Sequence, residues 1–175
     1  YYRDADGRQV TDNLAGDDAR VIMDRVLPFI REAVQQGKPF FAVVWFHTPH
    51  TPVVAGPDYR DMYAACAEGE QHYYGCVTAM DEQVGRLNAE LVRLGVAEHT
   101  CHWFCSDNGP EGRDGLTGRN RGSTGALRGR KRSLFNGGVM VPALVLFPAA
   151  VHPGAVVTAP CSSLDYLPPI LAGMD

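Results

Sequence analysis

The spacing of apolar positions predicts three helices. From Asp17 to Gly37 apolar side chains return every three or four positions, with acidic residues at the start and glycine at the end. Pro28 lies inside this segment and is expected to kink the helix or to break its first turn. A second helix is predicted from Tyr73 to Leu94, where large apolar residues again step by four and three. A third is predicted from Ser163 to Leu171, with Ser162 or Ser163 as its cap.

Three short runs are apolar enough to form buried strands: Phe40–Phe46, His102–Cys105 and Ala143–Phe147. The first is continuously apolar, which is typical of a strand covered on both faces in a parallel sheet. Helices and strands therefore alternate along most of the chain. This order predicts an α/β fold, most simply a doubly wound, mostly parallel sheet flanked by helices. No run is long enough to span a membrane.

Composition and charge narrow the functional classes. The 175 residues are 45% hydrophobic and 21% charged, with a formal net charge of -4, which is ordinary for a globular domain with one core. The mild acidity argues against general nucleic-acid binding. The five cysteines form an odd set without a C-x-x-C pair, so the sequence leaves the redox compartment open.

Two polar clusters follow predicted strands, where ligands bind in open α/β sheets. The turn Ser106–Pro110 comes directly after the second strand and carries Asp107 and Asn108. Their oxygens suit Ca²⁺ or Mg²⁺, but two ligands do not fill a coordination sphere. Glu111 and Asp114 are nearby candidates for further ligands, and their Gly-rich surroundings make them the less favoured choice. The alternative is that Asp-Asn-Gly-Pro is simply good turn chemistry.

The segment His47–Pro52, with the sequence HTPHTP, follows the first strand. Two prolines stiffen it, so His47 and His50 are held by a chain with few alternative conformations. Such a histidine can donate to an anionic oxygen, bind a metal or move a proton. The alternatives are an extended surface loop in which histidine is incidental, and a core position satisfied by backbone groups.

A basic cluster, Arg128–Arg132, ends a loop that also contains Arg119 and Arg121. It is either a solvated face or an anion pocket. In a pocket, Lys131 would supply a compact charge, and the arginines would supply planar guanidinium groups that donate two hydrogen bonds to an oxyanion. The following Gly137 and Gly138 permit a close backbone approach. A cation site, an imidazole and an anion pocket together indicate metal-assisted hydrolysis of a charged ester.

Five motifs in this order resemble the type I sulfatases of the alkaline phosphatase superfamily. They are KPFF to FHTPHTP, YYGCVTAMDEQVGRL, CSDNGP, ALRGRKRSLFNGGVMVPAL and SLDYLPPILAG, and they cover nearly the whole chain from about Thr11. The resemblance implies that Asp107 and Asn108 bind the active-site cation, usually Ca²⁺, with Mg²⁺ as the alternative. It implies that His50 and Lys131 contact the sulfate ester, Lys131 also helping the leaving group to depart. The substrate would be a small-molecule or glycan sulfate ester.

The family's nucleophile is a formylglycine made from a C/S-x-P/A-x-R motif, and no cysteine here begins that motif. Residues 1–175 are therefore expected to be the C-terminal part of a catalytic domain, inactive alone, with an incomplete alkaline-phosphatase-like fold. Arg132 also departs from the family, which often has glycine there. The rival functions are a phosphoester hydrolase or phosphotransferase of the superfamily, and a noncatalytic sulfate- or phosphate-binding module. The family's usual location is the periplasm, the lysosome or the exterior, and the sequence leaves the oligomeric state open.

Overall fold

The elements alternate in an α/β order. The computed structural model describes residues 2–111, 118–119 and 121–172. The helices are α1 (Asp18–Gln35), α2 (Pro57–Asp61), α3 (Glu68–Arg93), α4 (Asn136–Val139) and α5 (Leu167–Ala172). The strands are β1 (His102–Cys105) and β2 (Ala143–Leu146), and 3-10 turns span Ala97–His99 and Ser163–Asp165.

Both long helices are confirmed. The Asp17 carboxylate caps α1 by accepting a 2.9 Å hydrogen bond from the Ala19 amide. Helix α1 continues through Pro28, so the predicted break in its first turn is wrong. Helix α3 begins at Glu68, more than one turn before the predicted start at Tyr73.

The main core lies between α1 and α3. Met23, Leu27 and Ile30 of α1 pack against Leu87 and Leu91 of α3, and all five are buried. Leu87 and Leu91 lie on the apolar stripe predicted for α3. On α1 the helical spacing predicts the stripe Ile22, Val26, Ile30, Ala33 and Val34, of which only Ile30 is fully buried, so the buried face is shifted toward Met23 and Leu27. The core fixes the two helices as one unit, and the segment that begins at His47 is bonded to the N-terminal end of α1.

Helix α3 also contributes a buried charge to this packing. Glu90 accepts hydrogen bonds from Arg93 at 2.6 and 2.9 Å and from Arg31 of α1 at 2.6 Å. The bonds from Arg93, followed by that from Arg31, lower the pKa of Glu90 from 4.5 to about 2. A buried carboxylate is tolerated here because two guanidinium groups satisfy it.

The predicted doubly wound, mostly parallel sheet is not confirmed. Strands β1 and β2 pair with each other in antiparallel fashion, with His102 opposite Leu146 and Cys105 opposite Ala143. Among the described residues this pair is the only sheet, apart from an isolated bridge between Arg3 and Gln9. The apolar pattern predicts that a segment is extended, but it does not specify the direction of its neighbour.

The predicted strand Phe40–Phe46 is not part of any sheet within the described ranges. Its apolar residues alternate: Phe40 and Phe46 pack on the helix core, whereas Phe41, Val43 and Trp45 are 73%, 60% and 83% exposed. Residues 39–46 make no backbone–backbone hydrogen bond to another described residue. The segment thus has the side-chain pattern of a strand but lacks a neighbouring strand, and the predicted burial of both faces is wrong.

The predicted C-terminal helix is divided in two. Ser162 caps the 3-10 turn Ser163–Asp165, and its own amide donates to the Asp165 carboxylate at 2.6 Å. The α-helical part, α5, starts only at Leu167 and carries two prolines near its start, where the missing amides are tolerated. In the part of the chain described here, no helix is long and apolar enough to cross a membrane.

Candidate active site

The turn after β1 is tied to the backbone that precedes β2. The Ser106 amide donates to the Pro142 carbonyl at 3.3 Å, and the Gly109 amide donates to the Gly138 carbonyl at 2.8 Å. Within the turn, the Ser106 hydroxyl donates to the Asn108 carbonyl at 2.8 Å. Both branches of the turn are therefore held by backbone bonds, and its side chains are presented at one end of the β1–β2 ladder.

Asp107 and Asn108 have the chemistry of a partial cation site. Asp107 is exposed, and no hydrogen bond within the described ranges engages its carboxylate or the side-chain oxygen of Asn108. These are two hard oxygen donors, whereas Ca²⁺ takes six to eight and Mg²⁺ six. Groups of three or more His, Cys, Asp or Glu side chains with metal-binding geometry are absent from the described residues. Asp114 lies outside those residues, and Glu111 pairs with cationic side chains instead.

Three glycines hold the turn against the basic loop, and we call Gly109, Gly137 and Gly138 the glycine seam. All three are buried. A Cβ on Gly109 would overlap the Gly137 carbonyl, and one on Gly138 would overlap the Ser133 carbonyl. The Gly137 amide donates to the Arg128 carbonyl at 2.7 Å. The close approach predicted for the double glycine is confirmed, because only hydrogen fits at these positions.

Lys131 lies beside the turn. Its amide donates to the Pro110 carbonyl at 3.2 Å, and its half-buried ammonium is 3.8 Å from the Glu111 carboxylate. The neighbouring Arg132 donates to the same carboxylate at 2.5 Å and has a φ of +73°. This left-handed conformation is one that glycine adopts more readily than arginine. Lys131 and the Asp107–Pro110 turn are thus adjacent in the fold.

Three arginines of the basic loop have partners away from Glu111 and the turn. The Arg128 guanidinium lies 3.7 Å from the centre of the Phe135 ring. Arg130 donates to the Gly122 carbonyl at 2.9 Å, and Arg119 pairs with Glu68 at 3.5 Å. The cluster is therefore neither a wholly solvated face nor a ring of converging cations. Lys131 and Arg132, which share the Glu111 carboxylate, are the members beside the turn.

His50 lies on an exposed turn. Its amide donates to the His47 carbonyl at 2.7 Å, and its Nδ1 is 2.9 Å from the Thr51 carbonyl. A carbonyl only accepts, so Nδ1 carries a proton and Nε2 becomes a donor only in the imidazolium form. Within the described ranges, no hydrogen bond or ion pair joins His50 to Asp107, Asn108 or Lys131. The convergence of all four side chains stays a prediction.

Two residues that sequence reasoning missed attach the His47–Pro52 segment to the helices. Asp18 of α1 accepts hydrogen bonds from Thr48 and from the His47 amide. His72 of α3 is 3% exposed, and its Nδ1 accepts a 3.1 Å hydrogen bond from the Ala55 amide. Burial, followed by the nearby charges of Arg119 and Arg60, lowers the pKa of His72, so its ring is kept neutral. The sequence signal for the Asp18 contact was the pair of aspartates at the start of α1. One aspartate suffices as the helix cap, so the other is available for a second contact.

The five cysteines are free thiols, and none of them begins the motif from which a formylglycine would be made. Cys76 is buried, and burial raises its pKa to about 11. A thiol with so high a pKa is rarely a thiolate at neutral pH and is a weak nucleophile. Cys105 and Cys161 are exposed, but neither begins a C/S-x-P/A-x-R motif.

Comparisons with known proteins agree on one family. A family model described as "Sulfatase" matches residues 1–175. Mouse steryl-sulfatase is 36% identical over 162 residues, covering 89% of this chain and 24% of the relative. Human arylsulfatase A is 33% identical over 141 residues, covering 81% of this chain and 26% of the relative.

A solved structure has a similar backbone. The crystal structure of Ps i-CgsB in complex with k-i-k-neocarrahexaose superposes with a TM-score of 0.77 at 29% identity. The alignment covers 89% of this chain and 33% of that chain. This chain therefore spans about a quarter of the length of the curated relatives and a third of the solved structure.

Proposed function

This chain belongs to the sulfatase family, and from that premise we propose that the whole protein hydrolyses sulfuric esters. We propose that residues 1–175 form the C-terminal part of its catalytic domain. The observation that carries the proposal is the backbone bond between Lys131 and Pro110, which brings the basic loop to the Asp107–Asn108 turn. An anion-binding ammonium beside two hard oxygen donors suits an anionic ester held against a cation.

In this proposal Lys131 and His50 bind the sulfate group. The Lys131 ammonium offsets negative charge as it grows on the leaving oxygen. The Glu111 carboxylate lies 3.8 Å from that ammonium and is itself engaged by Arg132. His50 donates from Nε2, which requires the imidazolium because Nδ1 faces the Thr51 carbonyl.

Asp107 and Asn108 would hold part of a divalent cation site. We propose Ca²⁺, with Mg²⁺ as the alternative, because both residues offer hard oxygens that form no internal hydrogen bond in the described structure. A bound cation would supply charge stabilisation at the ester oxygens. The remaining ligands would come from other parts of the domain, since two oxygens do not fill a coordination sphere.

The nucleophile in this proposal is a formylglycine outside residues 1–175. The absence of the C/S-x-P/A-x-R motif supports this, as does the quarter of the relatives' length that the chain spans. The exposed Phe41, Val43 and Trp45 also support it, because a complete domain would cover such an apolar row. The 175-residue chain alone should therefore be inactive.

The test compares the chain with a longer product of the same gene. The longer protein should hydrolyse p-nitrophenyl sulfate, and the isolated chain should not exceed the uncatalysed rate. Lys131→Ala should lower kcat/KM by about a hundredfold, the size of one lost charge-stabilising donor. Lys38→Ala is the matched control, since Lys38 is the other lysine of the chain and is exposed. Hydrolysis by the isolated chain, or equal effects of the two substitutions, would contradict the proposal.

The rival functions make different predictions in the same assay. A phosphoester hydrolase would prefer p-nitrophenyl phosphate, but it is not favoured because the matching relatives are sulfatases. A noncatalytic anion-binding module would bind sulfated polymer equally well after chelation of divalent cations and after Lys131→Ala. The separate partners of Arg128, Arg130 and Arg119 favour the enzyme over this module.

The proposed substrate class is a sulfate ester of a small molecule or a glycan. The solved structure with k-i-k-neocarrahexaose supports including glycans, and the similarity to steryl-sulfatase and arylsulfatase A supports including small molecules. We also expect a compartment outside the cytoplasm, as is usual for the family. A panel of sulfated glycans and aryl sulfates, with the longer protein, would separate the substrate classes.

A further inference from the structure

One carboxylate holds the start of the His47–Pro52 segment at three points. The Asp18 Oδ2 atom lies 3.2 Å from both the His47 amide and the His47 Nδ1. The Asp18 Oδ1 atom accepts a 2.7 Å hydrogen bond from the Thr48 hydroxyl. Both oxygens of the carboxylate are thus used by two consecutive residues that are 29 and 30 positions away. A carboxylate that accepts hydrogen bonds with both oxygens fixes the direction as well as the distance of its partners.

Asp18 is available for this contact because Asp17 performs the capping. The Asp17 carboxylate accepts from the Ala19 amide at 2.9 Å, which leaves Asp18 free to face the segment. Asp18 is itself the first residue of α1, and the next turn carries the fully buried Val21 and Met23. The carboxylate therefore projects from a rigid part of the fold, which is where positioning groups are most effective.

The contact reaches His50 through the backbone. The His50 amide donates to the carbonyl of His47, the residue that Asp18 holds, at 2.7 Å. Beyond the segment, Ala55 is bonded to the buried His72 of α3, and Val53 accepts from Arg119 at 3.4 Å. Helices α1 and α3 are packed together, so His50 lies on a turn whose two ends are fixed to one rigid unit.

We propose that Asp18 is a positioning residue for His50 in the sulfatase reaction, an inference that rests on the proposed role of His50. Asp18 does not contact the substrate. It fixes the His47–His50 turn, so that the His50 imidazole is already held in position when the sulfate group binds. The energetic reason is that side chains fixed before binding lose less conformational entropy when the substrate arrives.

A purely structural role makes a different prediction. An acidic residue in the first turn of a helix stabilises the helix through its dipole, by a modest amount. Under that role, removing Asp18 would lower stability and would leave the mobility of the His50 ring unchanged. Asp24 is the matched control, because it lies on the same helix and pairs with Arg20 and Arg86 at 2.6 and 2.8 Å, away from the segment.

The first experiment measures positioning in the 175-residue chain without any ligand. The ¹³Cε1 relaxation of the His50 ring is compared among the wild type, Asp18→Asn, Asp18→Ala and Asp24→Ala. We expect greater ring mobility in Asp18→Ala, an intermediate value in Asp18→Asn, which keeps one acceptor oxygen, and no change in Asp24→Ala. Thermal melts identify any variant that fails to fold. Unchanged His50 mobility in a folded Asp18→Ala variant would overturn the proposal.

The second experiment measures the consequence in the longer, active protein with p-nitrophenyl sulfate. We expect Asp18→Ala to lower kcat/KM about tenfold, and to have no further effect when His50 is already alanine, since the two residues act as a unit. Additive effects of the two substitutions would overturn the proposal. If His50→Ala alone changes nothing, the proposed role of His50 fails, while the ring relaxation still decides whether Asp18 positions it.

Discussion

The glycine seam gives the sharpest stability prediction. Replacing Gly109 by alanine places a Cβ into the Gly137 carbonyl, 2.9 Å from the Gly137 carbonyl carbon and 3.0 Å from the Gly138 Cα. All of these atoms are backbone atoms of buried residues, so no flexible side chain can swing away. The turn must move, and the 2.8 Å bond from the Gly109 amide to the Gly138 carbonyl is lost.

The magnitude follows from three contributions. Overpacking a well-filled site costs about 1–3 kcal/mol. Loss of one neutral hydrogen bond costs about 0.5–1.5 kcal/mol. Alanine also restricts the unfolded chain more than glycine does, which offsets about 0.4–1 kcal/mol of this loss of stability. The free energy of unfolding of Gly109→Ala should therefore fall by about 2 kcal/mol.

The control is Gly85→Ala in helix α3, where an added Cβ would meet nothing within 4 Å. Alanine there should raise the free energy of unfolding by about 0.5–1 kcal/mol, because glycine is unfavourable inside a helix. Urea unfolding of the 175-residue chain, followed by circular dichroism, measures both variants. The reasoning would be refuted if Gly109→Ala were as stable as the wild type while Gly85→Ala behaved as expected.

Three further predictions concern charge, thiol chemistry and the exposed apolar row. Because the pKa of Glu90 is lowered in the folded state, its carboxylate stabilises the fold above pH 4.5, and this stability is lost as the pH falls toward about 2. The melting temperature should therefore fall across this range in the wild type and less steeply in Glu90→Gln. Identical profiles of the two proteins would contradict this. Because burial raises the pKa of Cys76 to about 11, iodoacetamide should label it far more slowly than the exposed Cys161, as peptide mass spectrometry would reveal. Trp45→Ala should change the free energy of unfolding of the isolated chain by less than about 0.5 kcal/mol, since the ring is exposed. The same substitution should destabilise the longer protein by about 3–5 kcal/mol if the rest of the domain covers the ring. Equal effects in the two proteins, measured by urea unfolding, would count against the proposed domain.

Features that depend on neighbouring residues were predictable from the sequence. The presence of α1 and α3 and the ends of β1 follow from local periodicity and turn chemistry, and the structure confirms them. The close approach at Gly137 and Gly138 was also predictable, since only a residue without a side chain permits it.

Features that depend on residues far away in the sequence were not predictable from it. The antiparallel pairing of β1 with β2 and the unpaired state of Phe40–Phe46 depend on which backbone lies alongside, and side-chain alternation does not encode that. The contact of Asp18 with His47 spans 29 positions, and nothing in the spacing of either residue indicates it. Glu111 was a less favoured candidate for a further cation ligand, and the charges of Arg132 and Lys131 engage it instead.

The open backbone of Phe40–Phe46 has a consequence for handling the protein. A bare strand with neither charge nor proline is a template on which identical chains can stack into fibrils. Lys38 and Pro39 flank it on one side and the prolines of HTPHTP on the other, the residue types that interrupt such stacking. These flanking residues leave the apolar row itself uncovered. Purified alone at high concentration, the chain should still precipitate through this segment, and a charged substitution at Val43 should keep it in solution.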